Sequence, residues 1–148
     1  MLDLVFAILH HLLVFSLFGV LCAELVLVRQ GVDLAAVIRV GRIDVMAGAL
    51  AGLIVLIGFS RAIFAAKGWL YYAHNLFFHL KVGTFLVIGL LSIAPTMAYI
   101  RWRRAGLPPE DLQVAWVRRW LWIELLLFAL LPAFAAAMAR GYGEFAAH

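Results

Sequence analysis

The sequence predicts an all-α fold, a transmembrane up-down bundle of four helices with both termini on the outer, periplasmic side. Three observations predict it. First, 67% of the 148 residues are hydrophobic and only 14% are charged, with a mean hydropathy of +1.06. Soluble domains are about 45–50% apolar and about 25% charged. Second, four apolar runs, roughly residues 4–28, 44–66, 76–100 and 120–139, each reach the ~20 residues that a membrane-crossing helix needs. They use most of the chain, so residues 1–148 are expected to form one integral membrane domain. Third, the arginines collect in alternate connections. Arg29, Arg39 and Arg42 follow the first run, and Arg101, Arg103, Arg104, Arg118 and Arg119 follow the third. Lys67 in the second connection and Arg140 in the tail stand against these eight. The positive-inside rule then puts the first and third connections in the cytoplasm. A bacterial inner membrane is the expected location.

The first run has only Asp3 before it and lacks a basic leader. At about 25 residues it exceeds the roughly 7–15 of a secretion-signal core, so it is read as a retained helix. Cys22 is the only cysteine, which excludes an internal disulfide, a cysteine-based zinc site and an iron–sulfur cluster. His10 and His11 point about 100° apart on a helix. His10 shares a stripe with Val14, Leu17, Leu21 and Glu24, whereas His11 shares one with Phe15, Phe18 and Cys22. The stripe with two ionisable groups is the expected bundle face, which favours His10, although either histidine could serve.

The second run opens near Asp44 and contains "GALAG", with Gly48 and Gly52 on one stripe. Such spacing suits close helix packing inside the bundle, or dimerisation. Arg61 lies near its end. The third run begins "NLFFHLKVGTFLVIGLLS" from Asn75, with His79 and Lys81 inside the apolar stretch. These two point about 200° apart, so they cannot meet at one atom, and Lys81 could snorkel outward. Asn75 lies one turn before His79. Pro95 and Pro132 each remove a backbone donor and are expected to bend their helices. The third connection, "RWRRAGLPPEDLQVAWVRRWLW", combines basic residues, prolines and an acidic helix start. It reads as a topology anchor, or as a docking patch for the headgroups of membrane lipids or a partner. Short connections favour antiparallel neighbours.

An ionisable side chain at mid-bilayer costs about 2.5–3.5 kcal/mol on insertion scales. Those present fall into two layers. Glu24, Asp44 and Glu124 lie toward the cytoplasmic side, near Arg29, Arg42, Arg118 and Arg119. They read as a ring of interhelical ion pairs, or as a proton or cation path. His10, His11, Arg61, His79 and Lys81 lie toward the outer side, with no carboxylate inside the apolar runs. Positive groups without an anion repel one another in a low dielectric. A tetrapyrrole would resolve this, because its metal takes imidazole nitrogens and its propionates take Arg and Lys. In this reading His10 and His79 ligate the metal of a haem b. His11 is the alternative to His10, while Arg61, Lys81 and Asn75 meet the carboxylates. Phe77, Phe78, Phe85 and Tyr71 suit a porphyrin wall or plain core. A three-histidine copper or zinc site from His10, His11 and His79 is the competing use.

Nearly the whole chain resembles a bacterial family of four-helix predicted membrane proteins. The resemblance rests on "LHHL", "AELVLVR", "GRIDVMAG", "YYAHNLFFHLKVG" with "LSIAPT", and "RRWLWIELLL" with "LPAFAAAMARG". Two shorter motifs, the "LH" at His10 and the H-x-K of His79 and Lys81, are similar to those of HemJ-type membrane protoporphyrinogen oxidases and their copper-resistance-related cousins. That resemblance implies haem b binding by the histidine and an essential, catalytic lysine at Lys81. The acidic layer, the doubled His10–His11 and Arg61 depart from the HemJ pattern. The expected function is therefore a haem-binding membrane protein, either a porphyrinogen-oxidising enzyme or a quinone-linked electron carrier. A non-enzymatic subunit of a larger membrane complex or homo-oligomer is the alternative, and a small proton- or cation-coupled transporter is a third. No internal repeat supports the third, and the charge distribution gives no reason to expect nucleic acid as a partner.

Overall fold

A computed structural model describes residues 2–64 and 68–145. Four long apolar helices pack as a bundle. The helices are α1 (Leu2–Leu27), α2 (Leu34–Phe64), the short α3 (Gly68–Ala73), α4 (Leu76–Ala105), α5 (Asp111–Phe128) and α6 (Leu130–Ala139). Helix α1 packs on α2 and α5, and α4 packs on α2, α5 and α6. Contacts therefore run around the bundle in chain order. Lys67, counted above in the charge balance, and the expected end of the second run at 66 lie outside the described residues.

Helices α2, α4 and α5 overrun their apolar stretches because backbone hydrogen bonding continues past the residues that lipid selects. Helix α2 starts ten residues before the expected 44. Gly31 turns the chain at φ 71°, and the Asp33 carboxylate accepts a 2.7 Å bond from the Ala36 amide, satisfying an otherwise orphaned donor of the first turn. Helix α5 starts nine residues before the expected 120, with Glu110 as its N-cap after Pro108–Pro109. The fourth apolar run is broken at Ala129, between α5 and α6. Pro132 lacks the N–H that would bond to the Phe128 carbonyl, and this accounts for the weak point. Pro95, by contrast, sits inside α4 without interrupting it.

Two apolar cores fill the bundle. One gathers Leu25, Val28, Val37, Tyr99, Trp102, Val117 and Leu121. The other gathers Leu17, Leu21, Ile54, Ile88, Phe128 and Leu131. Many other large apolar side chains, such as Phe15, Leu56, Leu86 and Leu126, are exposed, as expected where lipid replaces water. Gly48 and Gly52 are not the intra-bundle contact their spacing suggested. Both are exposed, and a Cβ at either would meet no atom within 4 Å.

Asn75 is fully buried and caps α4. Its Oδ1 accepts from the amides of Phe77 (3.0 Å) and Phe78 (3.3 Å), and its Nδ2 donates to the Tyr142 carbonyl at 3.1 Å. Leu76 and Phe145 add backbone bonds to Gly143 and His74, so the C-terminal segment is latched onto the α3–α4 junction. Gly143 stands at φ 78°, and a Cβ there would lie 2.7 Å from the Phe77 ring. Asn75→Ala should cost about 0.5–2 kcal/mol through the lost cap, with further loss from the unlatched tail. The check is a denaturation curve in detergent together with faster proteolysis after Arg140. Unchanged stability and cleavage would mean that the latch contributes nothing.

Candidate functional site

The outer polar layer is partly assembled by packing. The His10 side chain is buried at 7% exposure, and no described residue bonds its Nδ1. It lies against Gly58 of α2, where a Cβ would stand 3.3 Å from the imidazole Cε1. The missing side chain thus makes room for the ring. Lys81 of α4 and Arg61 of α2 lie close enough to act electrostatically on His10 and on each other. Three helices thus bring His10, Arg61 and Lys81 into one neighbourhood.

Other expected members are placed differently. His11 is exposed, and its Nδ1 donates to the Ala7 carbonyl at 2.6 Å. His79 is exposed too, and its Nε2 donates to the Ala73 carbonyl at 2.9 Å. Asn75 is committed to the cap and tail, so its side chain is not free to contact a ligand carboxylate. A three-histidine metal site is not formed. Among the described residues, no three His, Cys, Asp or Glu side chains stand together in a way that could hold a metal ion. The layer also has a carboxylate after all, because Asp3 Oδ1 pairs with Arg61 Nε at 3.2 Å. The first turn of α1 is near enough to reach it, which a division at the edge of the apolar run concealed. Phe77 packs on Phe134, and Phe78 packs on Tyr72 and Trp69. These aromatics form ring contacts between α3, α4 and α6.

The second layer departs more sharply from expectation. The anticipated ring of ion pairs is absent: among the described residues, the one ion pair is Arg61–Asp3. Glu24 and Glu124 are each 1% exposed, and Glu24 Oε1 and both Glu124 oxygens find no partner among the described residues. Arg118 turns away and donates to the Leu25 (2.7 Å) and Val28 carbonyls. It thereby satisfies orphaned acceptors at the end of α1, where a cation is also favoured by the helix dipole. Thr96 Oγ1 donates to Asp44 at 2.8 Å, and the Tyr99 hydroxyl reaches Glu24 at 3.5 Å. Glu24, Asp44 and Glu124 line a partly open cavity of about 80 Å³ together with Thr96, Ser92 and Pro95. Ser92, Thr96 and Tyr99 fall at spacings of four and three on α4, a polar stripe that the sequence does display. Gly58 left no comparable signal. The arginines of the same end face a broad open groove of about 660 Å³, lined by Arg29, Arg118, Arg119 and Trp122.

The family model described as "Predicted membrane protein (DUF2214)" matches residues 2–143. The chain belongs to this family. The match spans all six helices, so both polar layers lie within the DUF2214 region. No curated protein and no solved structure matches the chain.

Proposed function

We propose that this DUF2214 protein binds haem b or a related tetrapyrrole in the bacterial inner membrane, with His10 as the protein ligand to the iron. The observation that carries the reading is the buried His10 Nδ1 with no partner among the described residues. An unsatisfied buried polar atom costs about 1–3 kcal/mol, and a metal bond would remove that cost. The nearby Lys81 and Arg61 suit an acid-bearing ligand, whose carboxylates the two cations would hold by charge-assisted bonds. Haem bound there would supply one-electron transfer. Lys81 would orient a substrate carboxylate or take up a proton, in the oxidation of a porphyrinogen or in quinone-linked electron transfer. The similarity of the His10 and His79–Lys81 motifs to HemJ-type proteins points the same way. His79, whose Nε2 has the Ala73 carbonyl as partner, would have to turn before it could ligate.

The orientation that goes with this reading is up-down, with both termini periplasmic and the arginine-rich connections in the cytoplasm. Absorption spectra of purified protein from haem-supplied cells, air-oxidised and then dithionite-reduced, test the cofactor. A protein without a Soret band in either state would refute it. Because Arg61 already pairs with Asp3, a ligand carboxylate must compete with that aspartate. Asp3→Asn should therefore tighten haem binding. A partly exposed pair is worth about 1 kcal/mol, so the gain is about fivefold. Weaker binding in a haem titration would exclude Arg61 as a carboxylate partner.

A second reading is a non-enzymatic subunit of a larger membrane complex or a homo-oligomer. It is favoured by the exposed Gly48–Gly52 stripe, which would let another helix approach closely. Gly48→Leu should then release the partner, or the second copy, during purification in mild detergent. An unchanged assembly would count against this use of the stripe.

A further inference from the structure

At the opposite end from His10, three carboxyl groups from three helices line one partly open cavity. Glu24 comes from α1, Asp44 from α2 and Glu124 from α5. The chamber adjoins the second apolar core and is bounded by Leu17, Leu21, Ile88 and Phe85. Two features point to an occupant. Glu24 and Glu124 are 99% buried yet leave three carboxyl oxygens without a partner among the described residues. The cavity into which they face, at about 80 Å³, has room for about two waters at roughly 30 Å³ each. Buried carboxyl oxygens without a protein partner, with space beside them, call for small hydrogen-bonding guests.

Charge decides which guests. Three carboxylates at this depth would be mutually repulsive and poorly solvated. Among the described residues, no Lys or Arg lines the chamber. Helix α4 contributes the Thr96, Ser92 and Tyr99 hydroxyls, α2 contributes Asp44, and α5 contributes Glu124 with Arg118 turned to the α1 carbonyls. A metal cation is the poorer answer, because the three acids do not form a metal-holding group. Protons need no such coordination shell. They can be shared between carboxyl oxygens, hydroxyls and water in varied geometries.

We infer that the Glu24–Asp44–Glu124 chamber is a proton-binding site, in which water links the three carboxyl groups and Thr96 and Tyr99 hold two of them in place. The site would take up and release protons inside the bundle, whether or not a tetrapyrrole binds near His10. It is distinct from that layer in residues and in place.

The test is infrared difference spectroscopy of the full-length protein in lipid nanodiscs, titrated with acid and base in H₂O and in D₂O. The inference expects absorption from protonated carboxyl groups at neutral pH that shifts in D₂O and is lost at alkaline pH. Glu24→Gln, Asp44→Asn and Glu124→Gln should each remove one carboxyl's share of that band. The wild-type titration stands alone if a variant fails to fold. Absence of any protonated-carboxyl band at neutral pH would overturn the inference. So would a band that all three substitutions leave intact. An absent band that appears only when sodium and potassium are removed would show a cation site instead, and would overturn it equally.

Discussion

His10→Ala is expected to abolish the Soret band of protein purified from haem-supplied cells. Loss of a residue that only supports a metal ligand lowers affinity by roughly 10–100-fold, and removal of the ligand itself should exceed that. The control is His11→Ala, one position away but exposed and bonded to the Ala7 carbonyl, which should leave the spectrum unchanged. Retained helicity and retained elution volume separate ligand loss from misfolding. Gly58→Ala supplies an intermediate case. Its new Cβ would approach the His10 ring to 3.3 Å, so the imidazole must give way by a few tenths of an ångström. The band should shift or weaken without disappearing. A His10→Ala protein with an unaltered band would remove His10 as ligand and leave Lys81 and Arg61 without a common purpose.

Glu124→Met is expected to stabilise the protein. Both Glu124 oxygens are buried without a partner among the described residues, beside a cavity of about 80 Å³. Bonds to chamber water offset only part of the desolvation cost of a buried carboxyl, and methionine adapts readily to irregular space. Denaturation in detergent should therefore show a gain of about 1–3 kcal/mol, while the variant loses its share of the carboxyl absorption. Stability gained at the expense of a functional group is a common trade. A loss of similar size would mean that the bonds of the carboxyl inside the chamber outweigh the cost of its burial.

The membrane character and the four helices were legible because lipid solvation acts on each segment separately. Length and hydropathy suffice for that. Helix ends were less legible. Asp33 caps α2 and Pro108–Pro109 precede α5 ahead of the apolar runs, and those cues are local signals of helix rather than of lipid. The inward choice between His10 and His11 could be argued from their stripes, since Leu17, Leu21 and Glu24 share one face. Asn75 misled because a cap and a ligand contact use the same amide, and only the position of Tyr142, 67 residues on, distinguishes them.

Composition and periodicity by themselves determined a multi-pass bundle with an acidic layer and a basic layer. Both properties are sums over neighbouring residues. Tertiary structure alone decided which charges meet. It paired Arg61 with Asp3, set Gly58 against His10, and sent Arg118 to the carbonyls of α1 instead of to an acid. It left Glu24 Oε1 and both Glu124 oxygens without a partner among the described residues, beside open space. The physical reason is that pairing depends on rotation and depth of separate helices, and a shift of a few ångströms between them, invisible to any one segment, turns an ion pair into an empty contact.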